Sequence, residues 1–151
     1  MPIWFQGKIK YQKEVIVNSR QGDQVKVKTF SEVYLIDAVS FIDAETRLTE
    51  QIAANIPDFT VSVIGKMKLA DVFCVDGGQN WYKCKVIFTT EDNKGREKKL
   101  INSMLINADS VRSAYDRLQE AIKTILLPAE ITEVSKTPIL EIFPYTEPAE
   151  S

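Results

Sequence analysis

The sequence contains no histidine. That absence excludes Ser-His-Asp and Cys-His catalysis, histidine-ligated zinc and histidine pH switching. Cysteine is scarce. Cys74 and Cys84 stand alone, too few for a structural zinc site without histidine partners. Six glycines and six prolines in 151 residues rule out a collagen-like or low-complexity chain. No run approaches the roughly 18 uninterrupted apolar residues of a membrane span. Met1 to Lys8 has no apolar run followed by a small-residue cleavage site, so no signal peptide is read there. Walker A and Gly-x-Gly-x-x-Gly motifs are absent, and Gly77-Gly78 reads as a turn pair. The net charge of -2 argues against uniform coating of DNA.

These absences predict a cytoplasmic, non-catalytic protein with no cofactor and no catalytic or metal-binding residues. The cysteines flank the turn-like segment Val75 to Asn80 and could face each other across a hairpin. Without a secretion signal, free buried thiols are the preferred reading. The enzymatic alternative is a metal-dependent nuclease. Pro57-Asp58 with Asp92-Asn93-Lys94 evokes one faintly, but Asp92 to Gly95 reads better as a turn. Asp37 and Asn107, and Asp71 and Glu141, occupy equivalent positions. Capping and turn roles are preferred for Asp37 and Asn107.

What is present is an internal repeat. Trp4 to Tyr11 aligns with Trp81 to Phe88 at an offset of 77. Leu35 to Ser40 aligns with Leu105 to Ser110 at an offset of 70, and the match continues through Ala44/Ala114, Arg47/Arg117, Leu48/Leu118 and Ile52/Ile122. Val61 to Phe73 aligns with Ile131 to Phe143 at the same offset. The fall in offset means that the first copy carries about seven extra residues, near Asn18 to Asp23.

Each copy reads as strand, strand, helix, strand. Alternation over Trp4 to Lys13 and Val25 to Ile36 predicts two strands. Ser40 is placed to cap a helix, with Asp43 in the capping-box position. Phe41, Ala44, Leu48 and Ile52 form its apolar stripe, and Pro57 lies beyond its end. A third strand is predicted from Phe59 to Phe73, bent near Gly65. The second copy repeats this pattern to Phe143, with its helix from about Ser110 to Leu126. The expected fold is α+β: antiparallel sheet with two helices, related by a pseudo-twofold. One domain over residues 1–151 is expected, built from intertwined repeats at about 4–73 and 81–143, with a frayed tail.

The pattern also resembles a known family. Trp4-Phe5-x-x-Lys8, then Tyr34-Leu35-x-Asp37-Ala38-x-Ser40-Phe41-x-x-Ala44-Glu45-x-Arg47, then Trp81-Tyr82-Lys83-x-Lys85, then Phe143-Pro144-Tyr145, resemble an uncharacterised family catalogued as domain of unknown function four-four-nine-four. The resemblance covers Trp4 to Tyr145. It implies a setting in Bacteroides-type bacteria, their phages or mobile elements. It supplies no catalytic residues.

Strand alternation puts Phe5, Ile9 and Tyr11 on a core face, and Trp4, Gln6, Lys8 and Lys10 on the other. Tyr82, Cys84, Val86 and Phe88 are separated likewise from Trp81, Lys83 and Lys85. Charge is segregated too: residues 4–30 carry +4, residues 81–100 carry +3, and the remainder carries -9. A basic sheet face bearing aromatics suits single-stranded nucleic acid, with lysines on phosphates and indoles stacking bases. The candidate binding residues are Trp4, Lys8, Lys10, Lys26, Lys28, Trp81, Lys83, Lys85, Lys98 and Lys99. Lysines that guard strand edges and tryptophans that cover core ends are the structural alternative. The functional alternative is a protein-interaction or regulatory module, or a homodimer, without nucleic acid. No membrane partner is expected.

Overall fold

Two long antiparallel hairpins organise the computed structural model, which describes residues 3–75 and 77–144. Strands β1 (Trp4–Ser19) and β2 (Gly22–Asp37) form the first. Helix α1 (Phe41–Ala53) follows, then β3 (Thr60–Met67) and β4 (Asp71–Phe73). Strands β5 (Asn80–Glu91) and β6 (Glu97–Ala108) form the second hairpin, followed by α2 (Val111–Ile122), β7 (Ala129–Lys136) and β8 (Ile139–Phe143). The described residues thus form the expected α+β fold.

The chain divides into two compact units. Among the described residues the first comprises 3–67 and 139–144 and the second 68–75 and 77–138, and the expected frayed tail lies outside the described residues. Each holds a four-stranded sheet. The orders are β3-β1-β2-β8 and, read from the equivalent end, β7-β5-β6-β4. The units therefore do not coincide with the sequence repeats. The last short strand of each repeat pairs in parallel with the second hairpin strand of the other: β8 with β2, and β4 with β6. The predicted single strand from Phe59 to Phe73 is consequently two strands. The break falls at residues 68–70, because β3 and β4 belong to different sheets, and not at Gly65. In the second copy it falls at Thr137-Pro138, where proline has no amide to continue the ladder.

The registers match position by position. Trp4 faces Asp37 and Trp81 faces Asn107. Phe5 faces Lys66 and Tyr82 faces Lys136. Both ladders shift after the equivalent lysine, between Lys8 and Ile9 and between Lys85 and Val86. The helices are capped alike: Ser40 Oγ accepts from the Asp43 amide, and Ser110 Oγ from the Ser113 amide, each at 3.1 Å. Asp43 returns the bond to the Val39 amide at 3.0 Å.

Each helix lays one apolar stripe on its own sheet. In the first unit Ala44, Leu48 and Ile52 pack with Phe5, Ile9, Tyr34 and Ile36. In the second Ala114, Leu118 and Ile122 pack with Tyr82, Val86, Met104 and Ile106. Complete burial of a leucine such as Leu48 or Leu118 stabilises by about 1.5–3 kcal/mol. Gly7 brings helix and strand close, since a Cβ there would meet Leu48 Cδ2 at 2.6 Å. The equivalent residue, Cys84, is buried, and its thiol is pushed up to about 11 by desolvation. Cys74 is exposed, and both thiols are free. The two do not face each other across a hairpin, because β4 neighbours β6 and not β5. Among the described residues no helix is long and apolar enough to cross a membrane.

Candidate functional site: the basic ribbon and the tyrosine pocket of the first unit

The seven extra residues lengthen the first hairpin. Trp4 pairs with Asp37, 33 positions on, whereas Trp81 pairs with Asn107, 26 positions on. Strand β3 reaches β1 only as far as Lys10, and β8 reaches β2 only from Val33. Beyond them, from Gln12↔Thr29 to Ser19↔Gly22, the hairpin is a two-stranded ribbon with both edges unpaired. Eight residue pairs at about 3.3 Å each give it a length of about 25 Å. Gly22 closes the turn at a φ of 102°, a conformation glycine adopts freely.

Cross-strand partners share a face. Lys13 stands directly opposite Lys28, and Lys26 is opposite Val15, so three lysines occupy one face. The other face carries Ile16 opposite Val25, with Glu14 opposite Val27. Ile16, Val25 and Val27 are 73%, 66% and 61% exposed. Lys8 and Lys10 belong to that second face, paired with Val33 and Ser31. The candidate lysines of the first unit are therefore divided: Lys26 and Lys28 on one side, Lys8 and Lys10 on the other. In the second unit Lys83, Lys85 and Lys99 share the face away from α2, while Lys98 pairs with Thr90 on the helix side. Lys85 is engaged by Glu133 at 3.5 Å. Alternation alone misses these divisions because face assignment across a long hairpin needs the register.

The expectation of an exposed Trp4 indole requires correction. Trp4 is buried, 9% exposed, and Trp81 is half-buried. Both lie on interior strands, β1 and β5, flanked on each side. Leu35 and Leu105, which face away from the helices like the indoles, are fully buried. The face opposite each helix is thus apolar near the hairpin base, and Trp4 does not present a ring for base stacking. The Trp81 carbonyl accepts from the amide and hydroxyl of Thr137, both at 2.8 Å.

The charged and polar helix–strand junctions are structural. Arg47 Nη1 donates to the Asp37 carbonyl, and its Nη2 to the Pro144 carbonyl at 3.0 Å. Arg117 repeats the first bond on the Asn107 carbonyl at 2.8 Å. Asn107 is buried and clamps Val75 through both its amide and its carbonyl. Asp92 closes its turn by accepting from the Lys94 and Arg96 amides. Among the described residues no group of three or more Cys, Asp or Glu is arranged to hold a metal.

Sequence reasoning missed a pocket of about 640 Å³ in the first unit. Its floor holds Tyr11, Glu32 and Tyr34. Tyr11 donates to Glu32 Oε1 at 2.9 Å, and Tyr34 donates to Oε2. Tyr34 is buried and stacks on Phe143 at 5.3 Å and 14°. Its hydroxyl is held well above the ordinary tyrosine range, first by burial and then by donation to the Glu32 carboxylate. Tyr11 is raised chiefly by its bond to Glu32. The signal was a glutamate on the core side of a strand, between Phe30 and Tyr34, where alternation calls for an apolar residue.

The Asp37–Arg47 junction of the first unit joins two of the residues that carry the sequence resemblance. The chain belongs to the family described as Domain of unknown function (DUF4494), whose model matches residues 3–145. No curated protein and no solved structure matches it. The family match spans both units and the C-terminal strand β8, so the complete strand exchange lies within one family unit.

Proposed function

We propose that the chain is a non-catalytic accessory protein that binds nucleic acid through the basic ribbon of its first unit. The observation that carries this reading is the face formed by Lys13, Lys26 and Lys28. Two like charges directly opposite one another destabilise a hairpin, and an anion laid across them removes that penalty. A phosphate backbone supplies a row of such anions, and its counterions are released on binding. The chain's overall charge of -2 does not oppose this, because the local field governs the contact. Burial of Trp4 favours lysine–phosphate contacts over base stacking. A phage or mobile-element setting rests on the family resemblance alone.

A second reading has its own support. Ile16, Val25 and Val27 form an exposed apolar strip on the ribbon's other face, beside unpaired strand edges. That strip suits a protein partner or a second copy of the chain.

Titration of a labelled single-stranded oligonucleotide by fluorescence anisotropy, across a salt series, tests the first reading. Binding is expected at low salt and weakens as salt rises. Charge reversal of Lys13, Lys26 and Lys28 lowers the slope of log affinity against log salt by about 2, at roughly 0.7 per phosphate. Salt-independent affinity, or full affinity in the triple variant, sinks the nucleic-acid reading and leaves the apolar strip as the interface.

A further inference from the structure

The two units share a scaffold but not a pocket. Tyr11, Glu32 and Tyr34 correspond in register to Phe88, Asn102 and Met104. Phe88 and Met104 are both buried in the second core. No carboxylate stands at the equivalent position there. The first unit therefore carries a partly buried glutamate where the second unit has asparagine.

Glu32 is held by two hydroxyl donors. Each of its oxygens accepts one tyrosine hydroxyl. A carboxylate offers about four acceptor positions, so capacity for further N–H donors remains. No ion pair joins Glu32 to lysine or arginine among the described residues. The rest of the lining completes the picture. Asp58 and Glu141 add two further acids, and Lys13 is the one base against three. Ile52, Ile56 and Leu140 supply apolar wall, while Tyr34 and Phe143 supply stacked aromatic surface.

A partly buried carboxylate beside aromatic faces is the chemistry that recognises a cation with an apolar body. The cationic head donates charge-assisted hydrogen bonds to Glu32 and is attracted to the tyrosine rings. The apolar body is desolvated against the isoleucine and leucine wall. The volume suits a small molecule or one protruding side chain. We propose that this pocket binds a small organic cation, an amine or guanidinium carried on an apolar or aromatic body, with Glu32 as its counter-charge. The site shares Lys13 with the lysine ribbon but rests on Glu32 and the aromatic wall, so the amine titration decides it and the oligonucleotide titration decides the nucleic-acid reading.

The test is a titration of the full chain, followed by amide NMR, with benzylamine, benzyl alcohol and phenylacetate. Benzylamine is expected to move the amides of Glu32, Tyr34 and Glu141, and to bind at least about tenfold more tightly than the alcohol of the same shape. Phenylacetate is expected to move none of them. Glu32→Gln should cost benzylamine about tenfold in affinity. Equal affinity for amine and alcohol, preference for phenylacetate, or silence with all three probes overturns the proposal. Those comparisons use the unaltered protein, so they decide the matter even where Glu32→Gln fails to fold. Asp58→Asn, at an exposed position, then serves as the second variant, with an expected loss of about threefold. Unchanged benzylamine affinity in both variants also overturns it.

Discussion

The two units are built to one plan and differ in two places. Helix caps, strand order, register shifts and the arginine bond from each helix to its strand recur at equivalent positions. The first unit alone has the extended ribbon, and it alone has the Tyr11–Glu32–Tyr34 cluster where the second has Phe88, Asn102 and Met104. Shared features are those that packing requires. The features confined to one unit are those the other unit packs without: a glutamate on a core face, opposed lysines, exposed Ile16 and Val25. Such residues are the first place to seek function, because the fold demonstrably stands without them in its other half.

The sharpest test of that comparison is in the shared core. Leu48→Ala and Leu118→Ala each remove a fully buried side chain from under equivalent strands. Each should destabilise its unit by about 2–5 kcal/mol in urea unfolding. A large disparity between the two would break the equivalence of the cores.

A smaller effect separates Cys84 from its counterpart Gly7. The Cys84 thiol titrates at about 11 when folded, against an ordinary 9.0. Below pH 9 the thiol is neutral in both states and costs nothing. As pH rises from 9 to 11 the unfolded chain ionises first, so stability falls by up to about 1.4 kcal/mol per pH unit from this group. Cys84→Ala should flatten that part of the alkaline decline. An identical slope in the variant would show that the thiol is not desolvated.

The smallest effect is expected from the ribbon. Shortening it by about seven residues around Gln21, to the length of the second hairpin, removes exposed side chains only. Stability should stay within about 0.5 kcal/mol by urea unfolding, and oligonucleotide affinity should persist, because Lys13, Lys26 and Lys28 lie outside the deleted segment. A large loss of stability would show that the ribbon is part of the scaffold.

Much of the fold was legible because it depends on local periodicity. The alternation of Phe5, Ile9 and Tyr11 identified the helix-side core, Ser40 and Ser110 fixed the helix starts, and the change in offset located the longer hairpin. The strand exchange was not legible. Asp71 to Phe73 reads as a continuation of the strand before it, and only pairing with Met104 to Ile106 reveals another sheet. The Trp4 indole was misplaced for a related reason. Alternation separates two faces of a strand but does not say that both are covered.

The sequence by itself determined the α+β class, the repeated unit and the identity of the helix-facing residues, because hydrophobic period and capping act over a few neighbouring positions. Only the tertiary structure decided which sheet receives each terminal strand, which lysines share a face, and that Glu32 lies within reach of two tyrosine hydroxyls. These depend on register and on contacts between residues distant in the chain, and such contacts leave no periodic trace in the order of the residues.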